Sequence, residues 1–278
     1  MRRCDKTQAM ILHFTKMNGA GNDFVVVDNR AGDLNLSRET IAHLCDRHRG
    51  VGADGLLAVE PAQNGADFRM RYYNADGGEA EMCGNGARCF SRFAARLAGR
   101  CDRISFETQA GVISAELVGE NVRLSMSEPQ GMRLNEKISL SCANLTVHSV
   151  NTGVPHAVVI VDDLDSVPVA EYGAGLRYHT HFAPKGTNAN FIHALDSQTL
   201  AIRTYERGVE AETLACGTGV VASALVFHEL TGATSPVAVQ VRGGDTLSVG
   251  FETSGTGQYE NVTLTGPADF CFEGKITL

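Results

Sequence analysis

Met82-Cys83-Gly84-Asn85-Gly86-Ala87-Arg88-Cys89 and Ala215-Cys216-Gly217-Thr218-Gly219 are the two stretches that decide the fold. Each sets Cys-Gly-x-Gly at a strand-to-helix junction, and 216 − 83 = 133, close to half of the 278 residues. Repeats of roughly 20–50 residues mark solenoids. This longer interval reads as a duplicated domain.

Other echoes keep the same order. Asn18-Gly19 with Val25–Asp28 returns as Asn151-Thr152 with Val158–Asp162. Arg71, followed by Gly78-Glu79-Ala80-Glu81, returns as Arg203, followed by Val209-Glu210-Ala211-Glu212. Gly52-Ala53-Asp54 returns as Gly186-Thr187-Asn188.

Strand-like runs dominate: Phe24–Asp28, Phe68–Tyr73, Gly111–Val118, Asn121–Met126, Leu145–Val150, Ala157–Asp162, Leu200–Tyr205, Val237–Arg242, Leu247–Phe251 and Asn261–Thr265. Gly, Asn and Asp separate them, as turns require. Helical spacing covers Arg38–Asp46 and two stretches just beyond the motif cysteines. In Ala87–Ala98, Phe90, Phe93, Ala94 and Leu97 share one face, and Gly99 follows as a stop. Val220–Leu230 is apolar nearly all round and reads as a buried helix ended by Gly232. Each half is therefore a set of strands about one central helix whose N-terminus carries the cysteine. The domain junction falls at Glu128–Lys137, with Pro129, Gly131 and few apolar residues.

Composition is that of a globular chain, 43% apolar and 20% charged. A net charge of −8 argues against nucleic acid, which needs a basic surface. The longest apolar runs, such as Val220–Phe227, fall far short of a membrane span. Eight cysteines without a Cys-x-x-Cys pair suggest neither a disulfide scaffold nor structural zinc. Cys45, Cys142 and Cys271 read as small core residues, Cys89 as packing on its helix, and the expected compartment is the reducing cytoplasm. Residues 1–9 are polar and read as an extension, not a secretory signal, with Met10 an alternative start.

A thiol at a helix N-terminus meets unpaired N–H groups and the positive end of the dipole, which lower its pKa. Those N–H groups also bind a carboxylate and stabilise charge that develops upon it. Two such thiols flanking one carbon could remove a proton from one face and return one to the other. No Gly-Lys-Ser/Thr phosphate loop and no lysine with a phosphate-binding motif is present. A cofactor-free thiol–thiolate pair, without metal, is the simplest reading.

At these residues the chain resembles the diaminopimelate epimerase family. The resemblance runs from Met10 to Leu278 through Gly21–Phe24, Asn74–Gly77, Met82–Cys89, Asn151–His156, Gly186–Asn188, Glu206–Gly208 and Ala215–Gly219. Proline racemase-like relatives share the Cys-Gly-x-Gly motif, but this chain has Glu212-Thr213-Leu214-Ala215 where they carry Asp-Arg-Ser-Pro.

The resemblance implies an α+β fold of two pseudo-symmetric domains, each a β-barrel-like sheet wrapped around a central helix, with the active site in the interdomain cleft. Residues 10–127 form the first domain, completed by 267–278 with strand Phe270–Leu278, and 128–266 form the second. Cys83 and Cys216 are implied as the acid–base pair, assisted by His156 and Glu206. The backbone at Gly84, Asn85, Gly217 and Thr218 would hold the reacting carboxylate. Asn22, Asn74, Asn188, Glu206 and Arg207 would hold the rest of the substrate. Val154 and Gly55 stand where many or some members have Asn and Gln, and leave room for a related substrate.

The implied activity is interconversion of LL- and meso-diaminopimelate, in lysine and cell-wall precursor synthesis. A racemase of another amino acid, or a dithiol redox or ligand-binding protein, are the alternatives. The expected partner is a small amino acid, with a homodimer left open and neither nucleic acid nor membrane foreseen.

Overall fold

A computed structural model describes residues 10–99 and 102–278. The first half runs β1 (Ile11–Gly19), β2 (Asn22–Asp28), α1 (Arg38–Cys45), β3 (Gly55–Pro61), β4 (Phe68–Asn74), β5 (Glu79–Ala80), α2 (Gly84–Ala98), β6 (Arg103–Thr108), β7 (Gly111–Val118), β8 (Asn121–Ser125) and β9 (Gln130–Ser139). The second half repeats that order: β10 (Asn144–Asn151), β11 (Pro155–Ile160), α3 (Val169–Arg177), β12 (Asn188–Ala194), β13 (Thr199–Glu206), β14 (Ala211–Thr213), α4 (Gly217–Thr231), β15 (Val237–Gln240), β16 (Thr246–Gly255), β17 (Gln258–Pro267) and β18 (Asp269–Thr277).

Pairing is duplicated as well. β2 lies parallel to β3 and β4 to β6; β11 lies parallel to β12 and β13 to β15. The end strands are exchanged: β9 pairs with β10 of the second half, and β18 pairs with β1 of the first. β8 and β17 pair antiparallel and join the two halves. Even an ion pair recurs: Arg71 forks onto Glu79 at 2.9 and 2.8 Å, and Arg203 onto Glu212 at 2.7 and 2.7 Å. The fold is α+β, two pseudo-symmetric halves each with its sheet around a central helix.

The central helices are inside because their side chains leave them no other place. Around α2, Ala87, Phe90, Phe93 and Ala94 pack against Met17, Phe24, Leu57, Phe106 and Leu124. Around α4, Val220, Val221, Leu225 and Phe227 pack against Val158, Ile192, Val239, Val249 and Leu264. Full burial of one such Val, Leu or Phe contributes about 1.5–3 kcal/mol. Both helices end on a left-handed glycine, Gly99 at φ 64° and Gly232 at φ 77°, which spares the Cβ clash.

Several elements lie outside the sequence pattern. β3 and β12 are buried along nearly their whole length, so alternation is lost. β1, β6 and α3 are likewise unmarked; α3 carries two glycines, and Gly173 sits where a Cβ would meet Tyr205 Cβ at 2.3 Å. The expected junction, Glu128–Lys137, carries β9, a largely exposed strand with few apolar residues to betray it. Cys142 is not a strand core residue but an exposed turn residue, and Cys271 is in a strand yet exposed. Cys45 and Cys89 are buried as expected. The reading of residues 1–9 lies outside the described residues. Among the described residues no helix is long and apolar enough to cross a membrane.

Candidate active site

Cys83 and Cys216 are the N-cap residues of α2 and α4, in extended backbone, and neither helix start has a side-chain cap. The two starts meet at their first glycines. A Cβ on Gly84 would lie 3.7 Å from Gly217 Cα; one on Gly217 would lie 3.6 Å from Gly84 Cα and 3.2 Å from Leu264 Cδ2. Two positive helix ends thus converge between the two cysteines, an arrangement suited to an anion.

Asn85 stitches the halves together. It is buried, its amide donates to Asn22 Oδ1 at 2.5 Å and to Ala215 O at 3.1 Å, and its Oδ1 accepts from Arg88 at 2.8 Å. Asn22 in turn donates to Asp54 at 2.9 Å, and Asp54 accepts from Arg47 at 2.8 Å. On the other side Thr152 Oγ1 donates to Thr218 O at 2.9 Å, tying the Asn151–Pro155 turn to the start of α4.

Asn188 organises the rest. Its amide donates to Pro155 O at 3.2 Å, and its Oδ1 accepts the Arg207 N–H at 2.8 Å. The Arg207 guanidinium donates to Lys185 O at 3.2 Å, and among the described residues no carboxylate pairs with it. Asn74 is exposed at the end of β4, where its Oδ1 accepts from Tyr72 OH at 2.8 Å. Glu206 accepts from Thr213 Oγ1 at 3.0 Å.

Electrostatics revise one expectation. Burial pushes both thiols above the ordinary thiol range, outweighing the backbone N–H groups of Asn85 and Gly86 at Cys83 and of Gly219 at Cys216. The Glu206 charge pushes the same way at both. Burial also raises the Glu206 carboxyl, against the Thr213 hydroxyl. Without a substrate, then, protons are held on the sulfurs.

His156 is 1% exposed and is pulled down to about 3 by burial and then by the Arg207 charge, so it is neutral. Its Nδ1 meets the Asn190 amide at 3.2 Å, while its Nε2 is buried without a partner. Asn190 also backs α4: a Cβ on Gly219 would lie 2.4 Å from Asn190 Oδ1.

The structure brings Cys83, Cys216, Gly84, Asn85, Gly217, Thr218 and Asn22 into one junction, and the Glu206 charge is felt at both sulfurs. Asn188, Arg207 and His156 form a neighbouring group, and Asn74 stands at the strand end beside Gly55. Gly55 opens no room: a Cβ there would lie 2.5 Å from Tyr73 O and 2.8 Å from Tyr72 Cε2. By strand register Gly55, not Asp54, corresponds to Asn188, because Phe24 faces Gly55 and His156 faces Asn188. The Gly52-Ala53-Asp54 echo is displaced by one residue, since the β1–β2 turn is one longer than the β10–β11 turn. Residues the sequence reading misses are Thr152, Asn190, Tyr72 and Arg88. The Asn188-x-Asn190 alternation inside an apolar strand is the signal that would have found one of them.

Comparison with known proteins agrees with this geometry. The family model described as diaminopimelate epimerase matches residues 14–131 and 148–270. A diaminopimelate epimerase of Chlorobaculum tepidum is 44% identical over 266 residues, 94% of this chain and 100% of that protein. One from Aquifex aeolicus is 41% identical, covering 96% of this chain and 98% of its own length. Among solved structures, a PhzF-family phenazine biosynthesis protein of Bacillus anthracis superposes with a TM-score of 0.72 at 16% identity, covering 97% of this chain and 100% of that one. A hydroxyproline epimerase of Agrobacterium vitis reaches 0.68 at 18% identity, covering 100% and 94%. At such identities these two share the fold.

Proposed function

Because this chain belongs to the diaminopimelate epimerase family, we infer that it interconverts LL- and meso-diaminopimelate by passing protons through Cys83 and Cys216. The observation that carries this is the meeting of two uncapped helix starts, each with a cysteine at its cap. The substrate's reacting carboxylate takes the N–H groups of Gly84, Asn85, Gly217 and Thr218. One sulfur, as thiolate, takes the α-proton; the electron pair left on carbon delocalises into the carboxylate, whose growing charge the two helix ends stabilise. The other thiol gives its proton to the opposite face.

At the end the thiol and thiolate have exchanged places. Glu206, its pKa raised by burial, returns the proton between them. His156, neutral and with a free Nε2, assists at the Cys216 side through Asn190 and Gly219. Arg207, with Asn74 and Asn188 around it, takes the distal carboxylate, and Asn22 the α-amino side. The six described cysteines are free, which suits a reducing cytoplasm.

The test is turnover in deuterated water with chiral analysis of the product over a panel of amino acids. Exchange of the α-proton together with a mixture of LL- and meso-diaminopimelate is expected. Equal turnover of alanine, lysine or histidine would overturn the substrate; inverted product without solvent deuterium would overturn the mechanism.

A further inference from the structure

A network of charge stands behind Asn22, and the equivalent positions of the second half are uncharged. The Arg47 guanidinium forks onto Asp23 at 2.9 and 2.7 Å, and the Nη2 that makes the shorter bond also donates to Asp54 at 2.8 Å. Lys16, buried, pairs with Asp23 at 2.7 Å and donates to Gly52 O. Asp54 Oδ2 accepts from the Asn22 amide at 2.9 Å. By strand register Asn22, Asp23 and Asp54 correspond to Val154, Pro155 and Thr187, because Phe24 faces Gly55 and His156 faces Asn188. A half can therefore fold without this network. Stability does not account for it either, since the Arg47 side chain is 55% exposed and an ion pair so placed adds little.

Orientation does account for it. A carboxylate only accepts hydrogen bonds, so Asp54 makes Asn22 turn its amino group that way and its Oδ1 toward the Asn85 amide. The Asn85 amide then also reaches Ala215 O at 3.1 Å, just before Cys216. Among the described residues, one N–H and one lone pair of the Asn22 amide remain uncommitted. Asp23 and Asp54 are close neighbours, each accepting the other's backbone N–H, at 3.1 and 3.3 Å. Without the cation that bridges them the two carboxylates repel, and Asp54 has no reason to stay on Asn22. We propose that Arg47 and Asp54 are positioning residues that lock the Asn22 amide in one orientation, so that the N–H and lone pair it offers the substrate are set before binding. This rests on the reading of Asn22 as a substrate contact given above.

The experiment has two readouts. The first is the side-chain amide signals of protein carrying isotope-labelled asparagine, in proton–nitrogen spectra, with the Asn22 pair assigned by its loss in Asn22→Ala. Arg47→Met is expected to move that pair toward the positions of a free asparagine amide, and Arg47→Lys to restore part of the difference. The second is steady-state kinetics with diaminopimelate. Arg47→Met is expected to raise KM about tenfold or more with kcat changed far less, because a contact made equally in ground and transition states acts on KM. In Asn22→Ala the same replacement should add nothing further, since its effect passes through Asn22. An equal rise of KM in both backgrounds, or an Asn22 pair unmoved in Arg47→Met, would overturn the proposal. Should Arg47→Met not fold, Asp54→Asn, which keeps the shape but not the charge, serves both readouts with the same expectations. If the wild type does not turn over diaminopimelate, the substrate reading fails, and the amide signals still decide on Arg47 and Asp54.

Discussion

On the proposed mechanism each cysteine has a task the other cannot perform, since acid and base must address opposite faces of one carbon. Cys83→Ala and Cys216→Ala are therefore each expected to lower epimerisation by at least about 100- to 10,000-fold, with circular dichroism and melting unchanged. Activity near the wild type in either variant would contradict the pair. Arg207 has no carboxylate partner among the described residues and is held by Asn188 at its N–H. Arg207→Met should cost diaminopimelate turnover about 1–3 kcal/mol, roughly 5- to 150-fold, with little change in the denaturation midpoint. His156 supplies a pH signature. Its pKa is about 3 in the fold against 6.5 as the ordinary value. The unfolded chain thus binds the extra proton between those limits, so its contribution to stability is full above 6.5 and is lost as pH falls toward 3. Urea denaturation at pH 7 and pH 5 should differ by about 2 kcal/mol from this residue alone, and His156→Asn should flatten that dependence.

Strands and helices pass these constraints to their neighbours. β3 begins at Gly55, where Tyr72 and the Tyr73 carbonyl occupy the place of a side chain. Tyr72 is in turn the donor that orients Asn74. A methyl group at position 55 must displace β4, so Gly55→Ala is expected to destabilise the protein by about 1–3 kcal/mol and to weaken substrate binding through Asn74. A differential scanning and KM comparison with the wild type checks both. An unchanged melting temperature would show that β4 yields freely.

At the scale of the whole molecule the exchange of β9 and β18 between halves and the β8–β17 pairing hold the helix starts face to face. Close approach of Gly84 and Gly217 puts their two preceding cysteines within one small junction. Mild oxidation is then expected to remove two electrons and two protons and join Cys83 to Cys216, abolishing activity until a reductant is added. Peptide mapping distinguishes that bridge from modification of the exposed Cys142 and Cys271. Full activity with both site thiols bridged would contradict the mechanism.

Duplication, the central helices and the two cysteines were legible in the sequence, because short local rules write them: glycines that start and stop helices, apolar spacing, and a motif repeated at half-length. β3 and β12 were not, since strands buried on both faces have no alternation to read, and β9 was hidden by its exposure. Asn22, Asn85, Asn188 and Arg207 could be singled out by family resemblance, while their partners could not, because each hydrogen bond joins residues far apart in the chain. Thiol acidity shows the division most plainly. Sequence places each cysteine at a helix start, which favours the thiolate; only the tertiary structure adds the burial and the Glu206 charge that oppose it at both sulfurs. Local spacing determines which groups are present, but burial and the charges brought near by distant segments decide how they ionise.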